Sequence, residues 1–151
     1  MFRDGVERLL VFRLGAERFG VALAEVDEVI DTPAANPVPD APAGAVGVAT
    51  VRGELVRLYD PSPVLRVGGD DARAATLLFR RGGRRVGLVV NDVQDAMMVE
   101  AAEVHQVRGS DESDGVLQGV VRRGRELIAV LDAGALLGAT IDGGVSQGER
   151  R

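Results

Sequence analysis

Two stretches of this chain carry the same pattern in the same order, and that repeat restricts the fold more than any other property. Residues 10–29 (LVFRLGAERFGVALAEVDEV) and 77–96 (LLFRRGGRRVGLVVNDVQDA) align without a gap, with identities at Leu10/Leu77, Phe12/Phe79, Arg13/Arg80, Gly15/Gly82, Arg18/Arg85, Gly20/Gly87 and Val26/Val93. Residues 47–60 then match 119–132, each closing on an apolar alternation and an aspartate, Asp60 or Asp132. A unit of about seventy residues is too long for a solenoid repeat and suits one small all-β unit. Two such units side by side create a groove, and that groove is the expected place of function.

Composition supports a β fold. The chain is 46% hydrophobic but only 3% aromatic, so its core must rest on Val, Leu and Ile, and β-branched side chains suit pleated sheets. Twenty glycines imply many tight turns. A net charge of −5 argues against general nucleic-acid affinity, which needs positive potential against phosphate. All the basic residues are arginine, so Schiff-base lysine chemistry and a phosphate-loop lysine are excluded. The absence of cysteine removes disulfides, zinc thiolates and thiol nucleophiles. The first twelve residues, MFRDGVERLLVF, lack the apolar core of a signal peptide, and no apolar run approaches membrane-spanning length, so a cytoplasmic protein is expected.

Alternation predicts a strand at 7–14, a turn at Gly15-Ala16-Glu17 and a returning strand over Arg18–Leu23. Ala24–Val29 reads as a helical turn into another strand, followed by a surface-laid stretch, Thr32 to Pro42, with four prolines. Val46–Val51 and Leu55–Tyr59 make a second hairpin about Arg52-Gly53-Glu54. In the second half, strands are expected near 75–81, 84–91, 95–99, 116–122 and 126–132. The predicted architecture is all-β: two pseudo-symmetric five-stranded units over 7–66 and 74–138, each closed by a short helical turn, then a frayed tail over 139–151.

Searches for catalytic chemistry find little. Gly144-Val145-Ser146-Gln147-Gly148 fits G-x-S-x-G, but it lies in the polar tail and the sole histidine precedes it. His105 has no evident nucleophile or orienting partner, and one histidine cannot build a multi-histidine metal site. Ser110 to Gly115 lacks the first aspartate and the final glutamate of a calcium loop and reads as a solvated acidic loop. The pairs Arg80-Arg81, Arg84-Arg85 and Arg122-Arg123 alternate faces on strands and are expected to blunt edges in solvent. The expected protein is a binding module without catalytic residues, metal or cofactor.

Taken together, the motifs resemble the CheW-like domain of bacterial chemotaxis coupling proteins, from about residue 8 to 138. The words that carry the likeness are Leu10–Gly15 with Arg18-Phe19-Gly20-Val21, then Val26-Asp27-Glu28-Val29, and above all Gly47-Val48-Ala49-Thr50-Val51-Arg52-Gly53. Val86–Val93, Leu117-Gln118-Gly119-Val120 and Leu127–Asp132 follow in order. The resemblance implies two SH3-like barrels and a non-enzymatic adaptor between methyl-accepting chemoreceptor tips and the regulatory domain of a CheA-type histidine kinase, recruited to receptor arrays at the inner membrane. It implies a receptor-binding set of Thr50, Val51, Arg52, Gly53 and Val93, and a kinase-binding set of Val26, Glu28 and Gly47. An apolar coiled-coil face seated in a groove and anchored by a valine and an arginine is a sound mode of helix recognition. Core packing explains Val26 and Val93 equally well, and a turn requirement explains Gly53.

The chain departs from the family pattern in three places: Thr50 stands in place of asparagine, Pro61-Ser62 replaces the usual residues after Asp60, and Arg57 replaces an apolar residue or proline. They raise an alternative, a divergent coupling protein that binds receptor but not kinase and modulates a specialised chemosensory pathway. A groove enzyme using His105 is a further alternative, tested by His105→Ala.

Overall fold

The computed structural model describes residues 5–39, 44–68, 72–107 and 115–149, the stretch 143–149 as backbone only. Ten strands and two helices follow the repeat: β1 (Val6–Leu14), β2 (Glu17–Ala22), β3 (Glu28–Asp31), β4 (Ala45–Val51), β5 (Glu54–Tyr59), α1 (Ser62–Leu65), β6 (Ala75–Arg81), β7 (Arg84–Val90), β8 (Asp92–Glu100), β9 (Leu117–Arg123), β10 (Glu126–Leu131) and α2 (Ala133–Glu149). Short 3₁₀ turns at Leu23–Glu25 and Ala101–Glu103 occupy the connections after β2 and β8. The acidic stretch 110–114 lies outside the described residues.

The strands do not sort by half. One five-stranded sheet has the order β8-β1-β2-β10-β9 and the other β3-β6-β7-β5-β4. Replacing each strand by its repeat counterpart turns the first order into the second, so the pseudo-symmetry is complete while each half lends its first hairpin to the other's barrel. The expected barrels over 7–66 and 74–138 are therefore corrected to two interleaved ones. Each exchanged hairpin is held on both sides. Strand β1 pairs antiparallel with β8 and β6 with β3, while β2 lies parallel beside β10, with Gly20 opposite Val130, and β7 beside β5, with Gly87 opposite Leu58. The repeated glycine belongs to this contact. A Cβ on Gly87 would stand 2.7 Å from Leu58 Cδ2 and from Thr76 Cγ2, and one on Gly20 3.3 Å from Leu9 Cδ1.

Each sheet then closes on itself. The segment after β3 crosses to the opposite edge strand, where Asn36 and Val48 exchange backbone hydrogen bonds of 2.9 Å, and His105 and Val120 repeat the arrangement after β8. The crossing explains Gly47 and Gly119, because a Cβ there would meet Asn36 O at 2.6 Å and Val104 Cγ1 at 2.6 Å. His105 is thus an exposed residue whose position requires backbone pairing, as its counterpart Asn36 does.

Strands β1, β2, β6 and β7 are buried on both faces, which is why they read as nearly continuous apolar runs. Leu78 and Val89 face one barrel interior with Ala49, Val51, Val56 and Leu58, while Leu9, Val99, Val121 and Val130 fill the other. Alternate residues on the same strands, Leu10, Phe12, Leu14, Leu77, Phe79, Leu88 and Val90, form a larger cluster between the barrels. Phe12 stacks on Phe19 there with ring centroids 5.7 Å apart.

Asp60 and Asp132, repeated in sequence, do the same work at the helix starts: Ser62 N donates to Asp60 Oδ1 at 2.9 Å and Ala135 N to Asp132 Oδ1 at 2.9 Å. Pro61 sits at the head of α1 with φ −80°, a place where proline's fixed φ is favourable. The frayed tail expected from 139 onward is corrected: α2 continues through Glu149, Thr140 is buried, and Ile141 packs against the central cluster. Its apolar residues 136, 137 and 141 lie on one face at helical spacing, a short pattern easily hidden by the surrounding glycines. Residues 144–148 lie inside this helix, which removes the strand-to-helix turn that a nucleophile elbow requires.

Candidate protein-binding face

The β4–β5 hairpin turns through Arg52 and Gly53, both with positive φ, 50° and 83°. Two left-handed residues are the requirement of the tight I′ turn that suits the twist of a hairpin. Glycine meets it freely, whereas a side chain costs about 1–2 kcal/mol. In the second barrel the counterpart of Arg52 is Gly124, with φ 63°. The first barrel therefore keeps an arginine where its own repeat uses glycine.

That arginine is held by Glu28 at the start of β3. Arg52 Nη1 donates to Glu28 Oε1 at 2.7 Å, and Nη2 donates to Oε2, a bidentate pair across the closed edge of the barrel. Beneath it lies Arg85 on β7, only 9% exposed, which donates to Glu28 Oε1 at 2.6 Å and to Asp27 Oδ2 at 3.0 Å and stands 3.5 Å from Glu54 Oε1. Arg80 joins from outside, 3.4 Å from Asp27 Oδ1. Three guanidinium groups and three carboxylates thus alternate over one rim.

The hydrogen bonds from Arg52, opposed by desolvation and reinforced by Arg85, lower the Glu28 carboxyl pKa from 4.5 to about 2. The Arg52 guanidinium is shifted upward by the same partner. Both groups stay charged across the physiological range. The outer neighbours are apolar: Leu55, paired with Thr50 across the hairpin, is 73% exposed, and Val29 is 40% exposed. A fixed cation beside exposed aliphatic side chains combines the residue types that protein partners engage.

The expected site residues fall into three groups. Arg52, Gly53, Thr50 and Glu28 share this rim, with the two residues assigned to different partners, Arg52 and Glu28, in direct contact. Val51 and Gly47 are buried, the first in the barrel interior and the second beneath the Asn36 crossing. Val26 and Val93, repeat counterparts, are half-buried and pack against the central cluster; Val93 lies on β8 in the other sheet, opposite Phe12. The departures from the family pattern fit without distortion. Thr50 and Arg57 are exposed on paired strands, and Pro61 begins a helix.

Sequence reasoning missed Arg85, Asp27, Glu54 and Leu55. Treating the arginine pairs as solvated edges is corrected at Arg85, which is buried because three carboxylates surround it. The available signal was the Arg18/Arg85 identity in the repeat. Arg18 occupies the matching place in the second barrel, 3.3 Å from Gln94 Oε1 and 3.3 Å from Glu126 Oε1.

A family model described as the CheW-like domain matches residues 8–140. The chain is 30% identical over 103 residues to the chemotaxis protein CheW of Rhizobium meliloti (strain 1021), an alignment that covers 67% of this chain and 66% of that protein, just under two thirds of its length. It is 23% identical over 133 residues to the chemotaxis protein CheW of Treponema pallidum (strain Nichols), covering 83% of this chain and 78% of that one. Among solved structures it shares the fold of the scaffolding protein TtCheW from Thermoanaerobacter tengcongensis, with a TM-score of 0.72 and 17% identity over 83% of this chain and 88% of the other. The match runs from β1 into α2 and takes in both repeats and the Arg52 hairpin, and the chain belongs to the CheW-like domain family.

Proposed function

We propose that this protein is a non-enzymatic coupling scaffold of a chemotaxis pathway, joining the cytoplasmic tip of a methyl-accepting chemoreceptor to the regulatory domain of a CheA-type histidine kinase. It acts in the cytoplasm at receptor arrays on the inner membrane. The family membership and the names of the relatives support the pathway. The observation that carries the binding role is the Arg52 tip, an exposed cation kept in a left-handed turn and locked by Glu28 where the repeat has glycine.

In this reading the receptor helix meets Thr50, Arg52 and Gly53, with Val51 supporting the hairpin from inside and Val93 lining the inter-barrel side. The kinase meets the side of β3 that carries Glu28, with Val26 and Gly47 shaping the approach. The test is a titration of the protein with a receptor-tip fragment and, separately, with the kinase regulatory domain, using wild type and Arg52→Ala. Wild type binds both, and the substitution weakens receptor binding by about tenfold or more, as loss of an anchor does. Failure of wild type to bind either fragment would overturn the proposal.

A further inference from the structure

Arg18 and Arg85 are the same residue of the repeat, yet their surroundings differ. Arg18 faces Gln94 and Glu126, whereas Arg85 faces Asp27, Glu28 and Glu54, the counterparts of the first two being Asp27 and Glu54. Glu28, whose counterpart is the shorter Asp95, is the carboxylate that reaches both Arg85 and Arg52. In the second barrel the turn order is reversed, Gly124-Arg125, so the left-handed position matching Arg52 is glycine and the arginine follows one residue later. The third carboxylate contact on the buried arginine and an arginine at the first, left-handed turn position thus occur together in the first barrel.

The geometry links them. Glu28 Oε1 accepts from Arg85 Nη2 and from Arg52 Nη1 at once, so the buried cation fixes the carboxylate that in turn fixes the exposed one. Arg85 is itself immobilised, with its Nε on Asp27 and its Nη1 facing Glu54 on the hairpin's returning strand. A single surface ion pair spends side-chain entropy for little net gain, but a partner held from a buried side arrives already ordered. We infer that Arg85 is a positioning residue: through Glu28 it holds the Arg52 guanidinium in one orientation before a partner arrives, and so contributes to binding without touching the partner. The role in binding rests on the coupling function proposed above; the ordering of Arg52 does not.

The test uses the full chain in three forms: wild type, Arg85→Gln and Arg18→Gln. Rotation of the Arg52 guanidinium about Nε–Cζ is read by NMR, alongside a thermal melt. Hindered rotation is expected in wild type and in Arg18→Gln and is lost in Arg85→Gln; a guanidinium as ordered in Arg85→Gln as in wild type overturns the inference. Should Arg85→Gln not fold, Arg85→Lys, which keeps the charge but not the fork, provides the same readout.

Receptor-tip binding is then measured for Arg85→Gln, Arg52→Ala and the double variant. About tenfold weakening is expected for Arg85→Gln alone, with no further loss when Arg52 is already alanine. A full additional loss in the Arg52→Ala background would make Arg85 merely structural and overturn the positioning role. Absence of receptor binding in wild type would overturn the coupling function, while the NMR result still decides what Arg85 does to Arg52.

Discussion

Glu28 is the residue on which the rim depends, since two arginines share one of its oxygens. Its carboxyl pKa is depressed to about 2, so the stabilisation it gives the fold is present above the unfolded value near 4.5 and is lost as pH falls through about 2. A carbon-detected titration of Glu28 is expected to stay flat from pH 7 down past 4. In Arg52→Ala the midpoint moves upward, because the hydrogen bonds that do most to hold the carboxylate in its charged form are removed. A wild-type midpoint at the ordinary carboxylate value would contradict the bidentate pair. The paired glycines make a second residue-scale prediction. Gly87→Ala puts a Cβ 2.7 Å from two methyl groups, whereas Gly20→Ala meets its nearest at 3.3 Å. Denaturant melts are expected to show Gly87→Ala costing about 1–3 kcal/mol, the range for overpacking, and Gly20→Ala less.

At the scale of elements, the strands were legible because alternation, hairpin turns and the repeat agreed on them, and β6 was placed to the residue. Helix α2 was not. Its first turn matches α1 in the repeat, and beyond Gly138 its glycines and polar residues hide an apolar face of which Ile141 is the last described member. The Asp142 carboxylate also reaches Arg81 Nη2 at 2.7 Å, tying the helix to the end of β6. Ending the chain at 138 is therefore expected to destabilise it by about 1–2 kcal/mol through lost apolar burial, while ending it at 149 leaves the melt unchanged. Equal melting of the two truncations would show that 139–142 does not hold the core. The candidate site was only half legible for a related reason. Arg52 and Glu28 were found in family words, but Arg85 lies 33 positions from Arg52 and no local pattern joins residues that meet only when β3, β5 and β7 share a barrel.

For the whole molecule, the repeat announced two like units, and what it left open was which strands each unit owns. The exchange of first hairpins makes the two halves interdependent: each barrel takes two strands from one half and three from the other, and the central cluster draws on both. Residues 1–66 and 74–151 produced separately are expected to be unfolded by circular dichroism, and to regain β structure when mixed. A folded isolated half would contradict the interleaved topology. The same interleaving gives the molecule one shared core, which would suit the proposed role of holding two partners in a fixed relation.

The coupling function requires that both partners be held at the same time, although Arg52 and Glu28, assigned to different partners, are in contact. The most direct test is to titrate the kinase regulatory domain into a preformed complex of this protein with a receptor-tip fragment and determine the mass of the product by light scattering. A complex containing one copy of each component is the predicted result. Displacement of the receptor fragment by the kinase domain would contradict a coupling scaffold.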